Sequence, residues 1–192
     1  MKRLTHLAQY HFSFNYPCPR KLREVVKLSL FEKETTDKCI DLWTEYHNTR
    51  SENISDAISK KEYDILKRQY TQSPMFLVPI KKKTGHFLLL GQAQEKSILF
   101  TYLEDYKLKG TKATPYFVIT LFDELIPTKQ LSLVRGDIIN FMITKPEAKL
   151  VWNFTLKQYL TPDLYQDFVF KFNHSPHEFN YEAYRQFFQL QN

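Results

Sequence analysis

The sequence predicts an α+β fold, with a central, largely antiparallel or mixed β-sheet of about five or six strands flanked by N-terminal and C-terminal helices. Three observations carry this. Four short apolar runs, rich in β-branched and aromatic residues, follow one another at 75–80, 87–92, 98–102 and 116–122. The first three are separated by hairpin-length connections, the pairing pattern of antiparallel neighbours. Residues at helical spacing lie before this block and after it.

In 87–90 and 116–122 neither alternate set of residues is polar, so these strands need cover on both faces and belong in the middle of the sheet. Leu89, Phe100, Phe117, Val118 and Ile119 are therefore expected among the most buried residues. The segment 131–136 reads as one more strand, turning at Gly136. Lys81, Lys82 and Lys83 read as a charged hairpin tip that protects a sheet edge.

The helices follow from their caps. Thr35 or Thr36 opens a helix whose stripe holds Ile40, Trp43, Tyr46 and His47. Residues 51–56 read as a polar linker. Ser59 and Glu62 form a capping box ahead of a stripe of Tyr63, Leu66 and Tyr70, and Ser73-Pro74 stops that helix. A short helix over 103–110 ends at Gly110. Thr144 and Glu147 form a second capping box, with Pro146 inside the first turn, where its missing donor costs nothing. That helix should bury Leu150, Val151 and Phe154. Thr161-Pro162 begins another, and a final helix is expected from Ser175-Pro176-His177-Glu178, carrying Tyr184, Phe187 and Phe188.

One domain is expected over 24–192, preceded by a basic arm at 1–23. The arm holds five basic side chains (Lys2, Arg3, Arg20, Lys21, Arg23) and no acid, which leaves 22 basic and 21 acidic residues in the rest. The net charge of +6 is thus concentrated in the arm, the body is nearly neutral, and the nucleic-acid reading weakens. A basic, acid-free arm with Pro17 and Pro19 fits an organellar address, that is, a transit peptide. Cys18 and Cys39 lack metal-type spacing. No apolar run is long enough to insert in a membrane.

Catalytic signals are absent. The four glycines are too scattered for a phosphate-cradling loop, and no serine has the flanking glycines of a nucleophile elbow. His174 and His177 lack a third metal ligand at short range and read as turn residues. Asp123-Glu124 and Glu104-Asp105 read as solvated element ends. The chain is expected not to be an enzyme, with no cofactor and no metal.

The blocks at 58–64, 73–79, 90–92, 101–110, 116–125, 131–136 and 172–179, in this order, together with Trp43, Tyr46 and His47 upstream, resemble the mitochondrial ATP synthase assembly factors that chaperone the β subunit of the catalytic head. The resemblance covers about residues 20–180, and Ala93 stands where the family often has an aromatic residue. It implies a mitochondrial matrix protein that binds no nucleotide, is a monomer when free, and holds the unassembled β subunit until the α subunit displaces it. An RNA-binding module using the basic arm and exposed aromatics is the alternative. A client surface is expected where Gln92 and Arg135 interrupt apolar strands beside Gly91 and Gly136, because glycine admits a close partner. The aromatic terminal helix with Tyr184, Phe187 and Phe188 is the second candidate.

Overall fold

A computed structural model describes residues 20–83 and 85–189, so expectations for residues 1–19 lie outside the described residues. A 3-10 turn (Leu22–Glu24) leads to α1 (Leu28–Phe31), α2 (Thr36–Asn48), β1 (Asn53–Ser59) and α3 (Lys60–Gln72). Then come β2 (Met75–Lys82), β3 (Gly85–Gln94), β4 (Ser97–Tyr102), α4 (Leu103–Lys109), β5 (Phe117–Phe122), α5 (Ile126–Lys129) and β6 (Leu131–Ile138). The chain finishes with α6 (Lys145–Leu160), α7 (Pro162–Leu164), a π-helical segment (Tyr165–Phe170), α8 (Lys171–His174) and α9 (Tyr181–Gln189).

The strands form one six-stranded sheet in the order β1-β6-β5-β4-β3-β2, with every neighbouring pair antiparallel. Strands β2 to β6 are a meander of sequence neighbours, and β1 joins from the far side of the chain. Leu89, Phe100, Phe117, Val118 and Ile119 are buried as expected. One face packs on α3 and α6, where Phe76 meets Phe100 and Tyr159 edge-on. The other face packs, over β5 and β6, on the N-terminal helices: Cys39 and Trp43 of α2 lie against Phe122, Leu131 and Leu133, and the Trp43 indole N–H donates to the Val134 carbonyl at 2.9 Å.

The caps form as the sequence requires. Thr35 accepts from the Lys38 N–H, and the boxes Ser59/Glu62 and Thr144/Glu147 are both closed. Gly110 ends α4 at φ +57°.

Five expectations need correction. Residues 53–59 are an edge strand and not a linker. Register puts Ile54, Asp56 and Ile58 on the face toward α6, and Asp56 hides the alternation because its carboxylate is held there by the Trp152 indole N–H at 2.7 Å and by Lys149 at 2.9 Å. The fold begins before residue 24: Leu22 is fully buried and its N–H donates to Glu124 at 2.8 Å. Asp123 and Glu124 are accordingly anchors, Asp123 accepting from the Tyr63 hydroxyl at 2.9 Å and from Lys96 at 2.5 Å. The last helix starts at Tyr181, because Asn180 rather than Ser175 supplies the cap, accepting from the Ala183 N–H. Leu150 is exposed, and Trp152 takes the buried position instead.

Candidate functional site

Register places Gln92 and Arg135 on the same sheet face, since Gln92, Leu99, Val118 and Asp137 form one cross-strand row and Arg135 lies two residues from Asp137. Two strands, β4 and β5, separate them. Gln92 is 3% exposed, with neither amide atom hydrogen-bonded. The Arg135 guanidinium is chelated by its own strand: Nε and Nη2 donate to Asp137 Oδ1 at 2.8 and 2.6 Å.

Gly91 and Gly136 belong to the opposite face. A Cβ on Gly91 would sit 2.4 Å from the Phe76 ring, and one on Gly136 would sit 2.5 Å from the Phe117 ring and 2.7 Å from Ile54. The close approach that these glycines permit is therefore used by the chain's own phenylalanines. Tyr184 and Phe188 are buried, Tyr184 donating to the Leu77 carbonyl, while Phe187 is half-buried against Phe168. None of the expected glycines, nor Gln92, Tyr184 or Phe188, presents surface to a partner in this conformation.

The accessible apolar surface lies elsewhere, at the end of the sheet where β2, β4 and β6 finish. Ile139 and Asn140 follow β6, and both N–H groups donate to the Tyr116 carbonyl, at 2.9 and 3.1 Å. Asn140 then closes a tight turn: its side-chain oxygen accepts from Met142 N–H at 2.9 Å and its carbonyl from Ile143 N–H at 3.1 Å. Lys82, at the end of β2, donates to the Met142 carbonyl and to Glu147, both at 2.7 Å. Buried Ile143 anchors the far side, just ahead of the Thr144 cap. The backbone of this loop is thus fastened at four points, yet Phe141 is 89% exposed, Met142 44% and Ile139 42%. At the same end α4 carries Leu108, 82% exposed, and is tied to Tyr116 by a 3.0 Å bond from the Tyr116 hydroxyl to Asp105.

Charges frame this surface. Its carboxylates are matched: Glu147 by Lys82, Asp105 by Lys109, Glu104 by Lys107, Asp137 by Arg135 and Glu52 by Arg50. Burial pushes the Glu147 carboxyl up, but the Lys82 ammonium and the Thr144 N–H and hydroxyl outweigh it and hold it below its ordinary value. Lys81, Lys83 and Lys112 have no ion pair among the described residues, which leaves this end net positive. The sequence hid the loop because 138–143 is an apolar run broken only by Asn140, and such a run reads as core.

No catalytic constellation is assembled by these contacts. His174 Nε2 lies 3.1 Å from Ser73 Oγ and 3.1 Å from the Gln72 carbonyl, tying α8 to the end of α3, while His177 is exposed beside Glu178. Among the described residues no group of three His, Cys, Asp or Glu could hold a metal ion, and no helix is long and apolar enough to cross a membrane.

A family model described as ATP11 protein matches residues 5–184. The chain belongs to this family. It is the family that the ordered sequence blocks resemble. A curated relative from Schizosaccharomyces pombe, "Protein atp11, mitochondrial", is 29% identical over 118 residues, a stretch that covers 58% of this chain and 40% of the relative. The chain thus matches well under two thirds of that relative's length.

Proposed function

We propose that this ATP11-family chain is an assembly chaperone in the mitochondrial matrix, which holds the unassembled β subunit of the F-type ATP synthase head, keeps it from aggregating and releases it to the α subunit. The observation that carries the reading is the rigidly held apolar loop around Phe141, set on a family whose curated relative is named a mitochondrial protein. An orphan subunit exposes apolar surface meant for its neighbour, and such surface drives aggregation. A complementary apolar surface with little net charge elsewhere covers it reversibly. No step here needs a nucleophile, a metal or a nucleotide.

The test is to dilute purified, denatured β subunit into buffer with this chain and follow light scattering, with α subunit run in parallel as a second client. Suppressed scattering of β is expected, with β leaving the chain for α, and scattering staying low, when folded α is added. Scattering of β that the chain leaves unchanged overturns the reading. Residues 1–23, with five basic side chains and no acid, act in this proposal as the mitochondrial address. Import by isolated mitochondria should stop when residues 2–19 are deleted, and import that continues refutes that part.

A further inference from the structure

We propose that the client docks on the strand-end surface, with Phe141 as the anchor entering an apolar pocket on the client and Lys81, Lys83 and Lys112 facing carboxylates around that pocket. This rests on the assembly role proposed above and specifies the chemistry of the surface it requires.

Three observations support it. Of the large hydrophobic side chains exposed on this chain, Ile139, Phe141, Met142 and Leu108 gather at one end of the sheet. Tyr46, exposed on α2, is already covered by the Arg50 guanidinium 4.6 Å from its ring centre. A phenylalanine left 89% exposed costs favourable burial that the chain forgoes. Here it also stands on a loop fixed by Tyr116, Asn140, Lys82 and Ile143, so binding need not order the backbone. Such preorganised aromatic anchors are what interface hot spots are made of.

Charge fixes the sign of the partner. Among the described residues the carboxylates of this end are answered by cations, and Lys81, Lys83 and Lys112 have no ion pair. Facing lysines would be repelled, whereas facing Asp or Glu would be drawn in and oriented. The same charges disfavour a cationic target such as a basic targeting segment.

The experiment compares wild type, Phe141→Ala, Lys81→Glu/Lys83→Glu and Leu30→Ala in the β-subunit scattering assay at low and high salt. Leu30 is an exposed leucine of α1, away from this surface, and controls for a general loss of stickiness. All four should melt together, because the altered side chains are exposed. Phe141→Ala should need about thirtyfold more chaperone for half-protection. The charge-reversed variant should be weakened several-fold at low salt and lose the salt dependence that wild type shows. Leu30→Ala should match wild type. If wild type protects and Phe141→Ala protects equally well, this docking surface is wrong while the assembly role stands. If wild type fails to protect β at all, the assembly reading falls and this proposal with it.

Discussion

The side-chain amide of Asn173 grips the backbone of Met75 from both sides, Nδ2 donating to its carbonyl at 2.6 Å and Oδ1 accepting from its N–H at 3.0 Å. Met75 opens β2, which among the described residues is an edge strand with no further strand beyond it. The amide thus stands in for the missing neighbour. Two residues on, the Leu77 carbonyl is taken by Gln158 at 3.4 Å and by Tyr184, and at the next outward position Pro79 has no N–H to leave open. The edge is closed by side chains.

Asn173→Ala should lower stability by about 2 kcal/mol, since it strips partners from two backbone groups that sit where water reaches poorly. Asn173→Asp should be at least as harmful above the carboxylate range. It keeps the acceptor for Met75 N–H but sets a negative oxygen against the carbonyls of Met75 and Val169, to both of which Nδ2 now donates. Urea midpoints decide it: changes below about 0.5 kcal/mol for both variants would mean that the clamp contributes nothing.

Gly136→Ala should destabilise by about 1–3 kcal/mol through overpacking against Phe117 and Ile54. In a double-mutant cycle Phe117→Leu should recover part of that loss, because the smaller side chain vacates the space the new methyl needs. Additive effects would show that the ring is not what the glycine accommodates. The client assay on the same variant separates stability from docking.

These two cases show where sequence reasoning reaches and where it stops. The central strands were legible because Leu89, Phe117, Val118 and Ile119 belong to runs with no polar face, and the helix starts because Ser59/Glu62 and Thr144/Glu147 name their own partners. Strand β1 was not, since Asp56 occupies an inward position for the sake of Trp152 and Lys149, contacts made more than ninety residues away. Gly91 and Gly136 announced a close approach correctly, but spacing cannot say whether the approaching group is a partner's or the chain's own ring. The apolar loop at Phe141 was illegible for the opposite reason: its composition is that of a core, and only the hydrogen bonds that hold its backbone outward reveal that it faces solvent.

A third prediction concerns acid. His47 lies buried in α2, its Nδ1 2.8 Å from the Trp43 carbonyl; that oxygen only accepts, so Nδ1 carries the proton and Nε2, with no partner, is bare. Burial drives its pKa below the ordinary value; the Trp43 carbonyl and Asp137 oppose this, and Arg135 and Arg50 reinforce it. The unfolded chain therefore binds the proton first as pH falls. The native state should keep full stability above about pH 6.5 and lose it progressively as pH drops below that toward the folded pKa. His47→Gln, which can still donate to the Trp43 carbonyl, should flatten this part of the stability–pH curve. A wild-type and variant pair with parallel curves from neutral pH to pH ~5.5 would remove His47 from the explanation.

The pairing of β1 with β6 sets an order of events for a chain that emerges N-terminus first, as it does in synthesis. Strands β2 to β6 each find a partner in the segment just before or just after them, so they can zip as they emerge. Strand β1 has no such neighbouring strand, since its partner lies at 131–137, and Leu22 and Trp43 pack on residues of 122–134. The leading third of the molecule must travel and wait, and only the arrival of residue 138 lets it lock the sheet from the far side. A chain built this way stays, for most of its emergence, an open sheet waiting on its own beginning.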